Sequence, residues 1–243
     1  MLLAHVDTDS LSYRILPAHI AKSHGNGKLS ALQAQIQPHF LYNTLFAIKQ
    51  LCELGETENA NAMVSGLANF YRIGVSGGRE IIPIKEEISH VESYLRIQQM
   101  RYEEDFCYSI QVDETVLSNT IIKLTLQPLV ENAIYHGIKS KREFGRIVIY
   151  GRREGENVIL EVRDNGAGMD KETLLGIHRM LTDTQVHTSQ SYGLKNVNTR
   201  LKLQYGQEYG LSVESEIEKG TTVRVIIPVQ GAQPPAVPQE EEE

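Results

Sequence analysis

Two polar side chains, His39 and Asn43, stand four residues apart in the segment "QPHFLYN", and this spacing places them on one face of a helix. A neutral imidazole is a nucleophile near neutral pH, and phosphoryl transfer to it requires mainly in-line placement and charge neutralisation. Pro38, which precedes the histidine, has two interpretations: a kink that presents His39 outward, or the first residue of a helix. Helical adjacency alone is equally compatible with a structural or exposed histidine.

A carboxylate at the end of a strand-like run is the second candidate for chemistry. In "NVILEVRD" three apolar residues alternate on one face, and Asp164 continues that face, where an ionised group needs a partner. The glycines that follow, Gly166 and Gly168, either let backbone approach a ligand or simply form a turn. Asp164 is suited to accept a hydrogen bond from an exocyclic amine such as that of adenine.

A third candidate is the polar side of the helix "LQPLVENAIYHGI", whose other side is apolar. An asparagine there, Asn132, offers a neutral oxygen to a Mg²⁺ ion that keeps most of its ligands as water and phosphate. Gly193 opens another helix, "YGLKNVNTRL", and a helix N-terminus attracts phosphate oxygens. Taken singly, each pattern also fits an ordinary solvated face or turn.

These candidates must be positioned by two kinds of element. Residues 28–104 show helical periodicity in three pieces, about 29–54, 57–75 and 85–102, and Thr57 is a plausible N-cap. The third helix carries its stripe at Ile88, Val91, Leu95, Gln98 and Tyr102. The first helix has an apolar face that we predict to form the bundle seam, consisting of Leu41, Leu45, Ile48 and Cys52.

Strands and helices then mix over residues 105–230, which predicts a two-layer α/β sandwich after the helical bundle. The fold class is therefore α+β. Residues 1–27 form a leader of unknown role, and residues 231–243 form a Pro-rich, acidic tail that we expect to be disordered.

Composition excludes several classes of function. The net charge of −7 disfavours nucleic acid and anionic lipid as partners. Two cysteines are too few for a disulfide framework, and they indicate a reduced, cytoplasmic protein. No apolar run is long enough to span a membrane, so we expect any membrane contact only through a segment upstream of residue 1.

Four short segments, "LVENAIYHG", "DNGAG", "YGLKNV" and "KGTTV", resemble in order and spacing the boxes of the histidine kinase/Hsp90/MutL ATP-binding fold, the Bergerat or GHKL type. The resemblance covers roughly residues 105–229 and implies ATP and Mg²⁺ as cofactors. It implies that Asn132 ligates Mg²⁺, that Asp164 binds the adenine amine, and that Thr221 supports this contact. It also implies nucleotide-binding roles for Gly166, Gly168, His136, Gly193 and Leu194, with a mobile lid over about residues 180–193.

One position departs from that family, because Tyr135 stands where many histidine kinases have a lysine. The cation that faces the phosphates must then come from elsewhere, and Lys139, Arg142 and Lys195 are the candidates.

The segment "LQAQIQPHFLYNTLFAI" and the third helix, "ESYLRIQQMRY", resemble the corresponding parts of LytS/YesM-type sensor histidine kinases. This resemblance implies that His39 is the phosphoacceptor and that the chain forms a homodimer. Phe40 replaces the acidic residue that follows the acceptor in many histidine kinases, so Glu131 becomes the candidate general base. Asn43 is the candidate for orienting water when a partner regulator is dephosphorylated.

The resemblance implies a sensor histidine kinase of a two-component system, which autophosphorylates His39 and transfers the group to the receiver domain of a response regulator. It implies the cytosolic portion of an anchored receptor. Two alternatives stay open: a GHKL-type ATPase or protein-serine kinase, and a non-catalytic nucleotide-binding docking module.

Overall fold

Three helices precede the sheet. The computed structural model describes residues 38–74, 79–102, 105–141, 143–182 and 192–229. Helix α1 (Pro38–Glu53) and helix α2 (Thr57–Gly74) form a hairpin, and helix α3 (Ile84–Arg101) packs against α2. The predicted helix bounds are confirmed to within two residues wherever they lie in the described part. The beginning of the first predicted helix, the kink before Pro38 and the leader lie outside it.

Helix α1 is anchored by the ring of Phe40. Its centroid lies 4.9 Å from that of Phe70 on α2 and 5.0 Å from that of Tyr94 on α3. Phe40 is thus the residue that turns inward. Of the predicted seam, Ile48 packs against the core, whereas Leu45 and Cys52 are exposed within this chain. The seam of the whole bundle stays a prediction.

The stripe predicted for α3 is confirmed, since Ile88, Val91, Leu95 and Gln98 are all buried. A fully buried carboxylate, that of Glu87, lies beside this stripe. The helical pattern predicts that Glu87 lies on the side of this stripe, because it stands one residue before Ile88 and four before Val91.

A two-stranded antiparallel sheet joins the helices to the rest of the fold. Strand β1 (Ile81–Pro83) leads into α3 and pairs with β3 (Thr120–Ile122), which follows the short helix α4 (Glu114–Leu117). Three residues are too short for periodicity to indicate a strand, so this pairing was not predicted.

The main sheet has five strands in the order β2-β4-β5-β7-β6. Strand β2 (Phe106–Val112) runs parallel to β4 (Gly145–Glu154), and the other neighbours are antiparallel. The predicted hairpin of β4 with β5 (Asn157–Asp164) is confirmed, as is that of β6 (Gly210–Glu216) with β7 (Gly220–Pro228).

Helices cover one face of this sheet. They are α5 (Gln127–Asn132), α7 (Lys171–Thr182) and α8 (Tyr192–Tyr205), and α5 continues through a π-helical segment (Ala133–Ile138) into α6 (Lys139–Lys141). Their apolar sides and the inward side chains of the strands belong to one core, which extends to Phe40 of α1. The predicted α+β class, a helical part followed by a two-layer part, is confirmed. The domain boundary between residues 104 and 105 stays a prediction.

The other face of the sheet has a buried carboxylate of its own, Glu161 on β5. It accepts hydrogen bonds from Arg152, Arg163 and Arg224 on three strands. Burial alone would raise the pKa of Glu161, but these three guanidinium groups outweigh it and lower the pKa to about 2. The carboxylate is therefore a fixed charge at neutral pH.

In the described part of the chain, no helix combines the length and the apolar character that crossing a bilayer requires.

Candidate functional site

The centre of the site is the carboxylate of Asp164, which lies where β5 ends. Its Oδ1 accepts the backbone N–H of Gly166 at 2.8 Å, and Asp164 is paired in register with Thr221 of β7. The backbone N–H of Thr221 also donates a hydrogen bond to this carboxylate. The predicted partners of Asp164 thus lie around it.

Two glycines let this carboxylate lie against a helix. A Cβ atom at Gly137, in the π-helical segment, would be 2.7 Å from Asp164 Oδ1. A Cβ atom at Gly166 would overlap the backbone of Gly137, and the Ala167 N–H donates to the Gly137 carbonyl at 3.1 Å. Any side chain at either position would separate the turn from the helix. Gly137 ends the motif "LVENAIYHG", but its local pattern does not predict this close approach.

The environment of Asp164 makes its charge costly. Burial raises the pKa of the Asp164 carboxyl to about 6, against the opposing effect of the hydrogen bonds from Gly166 and Thr221. A half-buried carboxylate that keeps unused acceptor capacity is a group prepared to receive a donor from a ligand.

The turn after Asp164 is held from its other side by the β6–β7 hairpin. Gly168 has φ +66°, and a Cβ atom there would overlap the carbonyl of Glu216. The Glu218 N–H donates to the Ala167 carbonyl at 2.7 Å. Ser215, which the sequence interpretation missed, accepts the Met169 N–H at 2.9 Å and lies 2.9 Å from Thr221 Oγ1.

The polar side of the α5 helix and its π-helical continuation faces away from the core, as predicted. Glu131 and Asn132 are half-buried, and Tyr135 and His136 are exposed. Asn132 is the last residue of α5 and stands five residues before Gly137, which contacts Asp164.

Near the start of α5 the structure places the beginning of α8. Gly193 lies in the first turn of α8, where a Cβ atom would be 3.7 Å from Pro128 Cβ. The next residue, Leu194, is buried and anchors that turn. Most of the predicted lid, residues 183–191, lies outside the described part.

Tyr135, which carries no positive charge, links the site to helix α3. Its hydroxyl accepts a hydrogen bond from Gln98 Nε2 at 3.2 Å. Lys139 Nζ lies 4.8 Å from the centroid of the Tyr135 ring and 3.9 Å from that of Tyr102, within cation–π range of both. Of the other two candidate cations, Arg142 lies outside the described residues, and Lys195 lies in α8.

His39 occupies the first turn of α1 and is exposed. The predicted proximity to Asn43 is confirmed, since Asn43 Nδ2 is 3.0 Å from Nε2 of the imidazole. Because Phe40 points into the core, the neighbouring histidine is directed outward. Within the described residues, no hydrogen bond or ion pair joins His39 or Asn43 to the residues around Asp164.

Glu131, the candidate base, lies on helix α5, next to Asn132. Its Oε1 accepts a hydrogen bond from the buried Gln127 Nε2 at 2.8 Å, which holds the carboxylate one residue before Asn132. The structure therefore divides the predicted site residues in two. His39 and Asn43 form one group on α1, and the others surround the end of β5 and the α5 helix.

Comparisons with known proteins agree with this division. The histidine kinase family model matches residues 27–106, and the model of histidine kinase-, DNA gyrase B- and HSP90-like ATPases matches residues 119–231. Among solved structures, the histidine kinase domain of the Erythrobacter litoralis EL346 blue-light activated kinase superimposes with a TM-score of 0.45 at 17% identity, over 83% of this chain and 90% of that one. At that identity and score the two structures are only distantly similar.

Three curated relatives illustrate the similarity in sequence. The chain is 38% identical to the sensor histidine kinase YesM of Bacillus subtilis over 201 residues, 83% of this chain and 33% of that protein. It is 31% identical to the sensor protein LytS of Bacillus anthracis over 204 residues, 84% of this chain and 34% of that protein. It is 31% identical to the sensor histidine kinase BtsS of Escherichia coli K12 over 201 residues, 83% and 33% of the two chains.

The chain spans about a third of the length of these relatives. Along the chain, the match to the histidine kinase model precedes the match to the ATPase model. The chain belongs to the family of LytS/YesM-type sensor histidine kinases.

Proposed function

We propose that this chain is the kinase portion of a two-component sensor: it binds ATP, phosphorylates His39 and passes the phosphoryl group to an aspartate in the receiver domain of a response regulator. The observation that carries the proposal is the Asp164 carboxylate, held between Gly137 and Gly166 with its charge only partly satisfied. A cytoplasmic location, as the kinase portion of an anchored receptor, belongs to the proposal.

In this proposal the nucleotide lies along the α5 helix. Asp164 accepts a hydrogen bond from the adenine amine, Thr221 supports that contact, and Gly166 and Gly168 give the pocket its shape. His136, Lys139, Gly193 and Leu194 belong to the phosphate end. The amide oxygen of Asn132 would hold Mg²⁺, which supplies charge neutralisation at the phosphate oxygens.

The reaction needs little covalent chemistry from the protein. A bond forms between an imidazole nitrogen of His39 and the γ-phosphorus, and the bond from that phosphorus to the bridging oxygen breaks as ADP leaves. The imidazole gives up its N–H proton, and Glu131 is the proposed acceptor. Transfer to the regulator then exchanges the nitrogen–phosphorus bond for a bond to the aspartate oxygen.

Lys139 is the proposed replacement for the lysine that the family usually has at the position of Tyr135. In the π-helical segment a turn takes more residues than in an α-helix, and Lys139 lies over the Tyr135 ring. The faces of the Tyr135 and Tyr102 rings position the Lys139 ammonium group. A Lys139→Met chain that binds ATP as tightly as the wild type would contradict this role.

Replacing the acceptor tests the function directly. We expect the wild-type chain to incorporate one acid-labile, base-stable phosphoryl group from radiolabelled ATP with Mg²⁺, and His39→Gln to incorporate none. His178→Gln is the matched control, because His178 lies on helix α7, away from the site, where its Nε2 contacts the carbonyl of Val213 on β6. Acid-stable label would favour a serine kinase, and nucleotide binding without any label would favour a docking module.

Two further substitutions separate kinase from phosphatase activity. Glu131→Gln removes the proposed proton acceptor, so we expect autophosphorylation to slow by about 100-fold or more. Asn43→Ala removes the amide beside the imidazole, so we expect the loss of regulator dephosphorylation with a smaller effect on autophosphorylation. Rates of phosphohistidine formation and of phosphoregulator decay measure the two effects. Wild-type rates in either variant would remove the corresponding role.

The raised pKa of Asp164 predicts how nucleotide binding depends on pH. Only the ionised carboxylate accepts the adenine amine without competition from its own proton, so affinity for ADP is expected to be constant above about pH 7. Below the pKa of about 6 it is expected to fall by up to tenfold per pH unit. Fluorescence titration with a nucleotide analogue from pH 5 to 8 measures this dependence. Asp164→Asn is expected to bind weakly at every pH.

The same pKa fixes the sign of a stability effect. Because the folded pKa exceeds that of an unfolded aspartate, the contribution of Asp164 to stability is fully present below about pH 4 and is lost as the pH rises through 6. Without nucleotide at pH 7.5, Asp164→Asn is therefore expected to be more stable than the wild type, by at most about 3 kcal/mol. A destabilised Asp164→Asn chain in urea unfolding would contradict the assigned cost of ionisation.

We further propose that the chain forms a homodimer through α1. Three of its apolar side chains point away from the chain's own core, with Tyr42 71%, Leu45 48% and Phe46 59% exposed. A second copy that packs its own hairpin here would complete a four-helix bundle.

Sedimentation equilibrium is expected to give a dimer for the wild type and a weakened one for Phe46→Ser. The control is Leu203→Ser, an exposed position on α8. A monomeric wild type would contradict the proposal.

A further inference from the structure

A carboxylate of helix α3 lies buried at the entrance to the helix that carries Asn132. Glu87 is fully buried, and its two oxygens accept the backbone N–H groups of Leu124 at 3.0 Å and Leu126 at 2.8 Å. Burial raises the pKa of this carboxyl, and the N–H groups of the turn oppose that effect. Both oxygens are thus committed to the four-residue segment 123–126, which we call the α5 entry turn.

The α5 entry turn has a conformation that it would not keep by itself. Leu124 has φ +60°, in the left-handed region that bulky side chains rarely adopt. Such a conformation persists only where the surrounding structure determines it. The two hydrogen bonds to Glu87 orient the N–H group of the unfavourable residue itself and that of Leu126, so the carboxylate is one of the groups that hold the turn.

Two other helices are fastened to the same turn. Lys123 Nζ donates to the carbonyl of Gly74, the last residue of α2, at 2.9 Å. Arg200 of α8 donates to the Lys123 carbonyl at 2.7 Å and also attracts the Glu87 carboxylate electrostatically. The α5 entry turn therefore connects the end of α2, helix α3 and helix α8.

The α5 helix is consequently held at two points. Leu126 is the residue before its first turn, where Glu87 holds it. Gly137 holds its far end against Asp164 and the turn that follows. Asn132 lies between these points, six residues from the first and five from the second. Loosening only the first point leaves the adenine end in place and frees the segment that carries the metal ligand.

We propose that Glu87 is a positioning residue for phosphoryl transfer: through the α5 entry turn it places Asn132 and Glu131 for the metal-bound phosphates. This proposal rests on the proposed kinase function. In this proposal adenine binding depends on Asp164 and the use of Mg²⁺ depends on Asn132. A merely structural role of Glu87 would change both properties together, whereas a positioning role changes only the use of Mg²⁺.

The test uses the whole chain with Glu87→Gln, which keeps the shape of the side chain and replaces one acceptor oxygen by an NH₂ group. That group opposes a backbone N–H, so one of the two hydrogen bonds is lost. We expect the Kd for ADP in EDTA to stay within about twofold of the wild type. We expect the Mg²⁺ concentration for half-maximal phosphorylation of His39 to rise by about tenfold or more, as for other groups that orient metal ligands.

The matched control is Glu161→Gln, which changes another fully buried carboxylate, on the far face of the sheet. It is expected to lower stability in urea without changing the Mg²⁺ requirement. If Glu87→Gln does not fold, Arg200→Lys replaces it, because Arg200 is only half-buried and lysine keeps its charge without the planar donor pair. A smaller increase in the Mg²⁺ requirement is expected for that variant.

The outcomes distinguish this proposal from the one on which it rests. If the wild type does not phosphorylate His39 at any Mg²⁺ concentration, the kinase function fails. If the wild type does so, and a folded Glu87→Gln or Arg200→Lys chain keeps the wild-type Mg²⁺ requirement, the positioning role alone is overturned. The same holds if the affinity for ADP in EDTA falls in parallel with the rise in the Mg²⁺ requirement, since that result describes a general loss of structure.

Discussion

The contact between the Asp164 carboxylate and Gly137 is the constraint on which the nucleotide half of this fold depends. An ionised carboxylate at the end of a buried strand needs donors and space, and burial already raises its pKa to about 6. Backbone N–H groups supply the donors, and the absence of side chains at Gly137 and Gly166 supplies the space. The strand, the helix and the turn are therefore positioned relative to one another by one charged group, which is also the group best placed to recognise a ligand.

In the helical half, α1 packs on one side and carries an exposed imidazole, that of His39, on the other. Phe40 accounts for this arrangement, since its ring lies between those of Phe70 and Tyr94 and so determines the rotation of α1. His39, one residue earlier, is then necessarily directed outward. The residue that occupies the usual place of an acidic neighbour thus has a clear packing function in this chain.

Helix α3 connects the two halves. One of its faces contributes Tyr94 to the aromatic cluster around Phe40, and Gln98 reaches the Tyr135 hydroxyl. At its other end Glu87 holds the entry turn of α5. Buried polar groups of this kind are costly unless their hydrogen bonds are satisfied, so they specify one arrangement of the helices more sharply than apolar contacts do. The polar contacts of α3 therefore join it to both ends of the segment that carries Asn132, at the entry turn and at Tyr135.

The sequence by itself determined the elements and the candidate residues. Periodicity located the helices and the main strands, and four ordered motifs identified the family and the residues around Asp164, because both signals are local along the chain. It did not reveal the pairing of β1 with β3, the approach of Gly137 to Asp164, or the inward rotation of Phe40. Nor did it reveal the role of Glu87, whose partners lie 37 and 39 residues away. Only the tertiary structure decided these features, since each depends on two segments that meet in space and carries no periodic signal in either one.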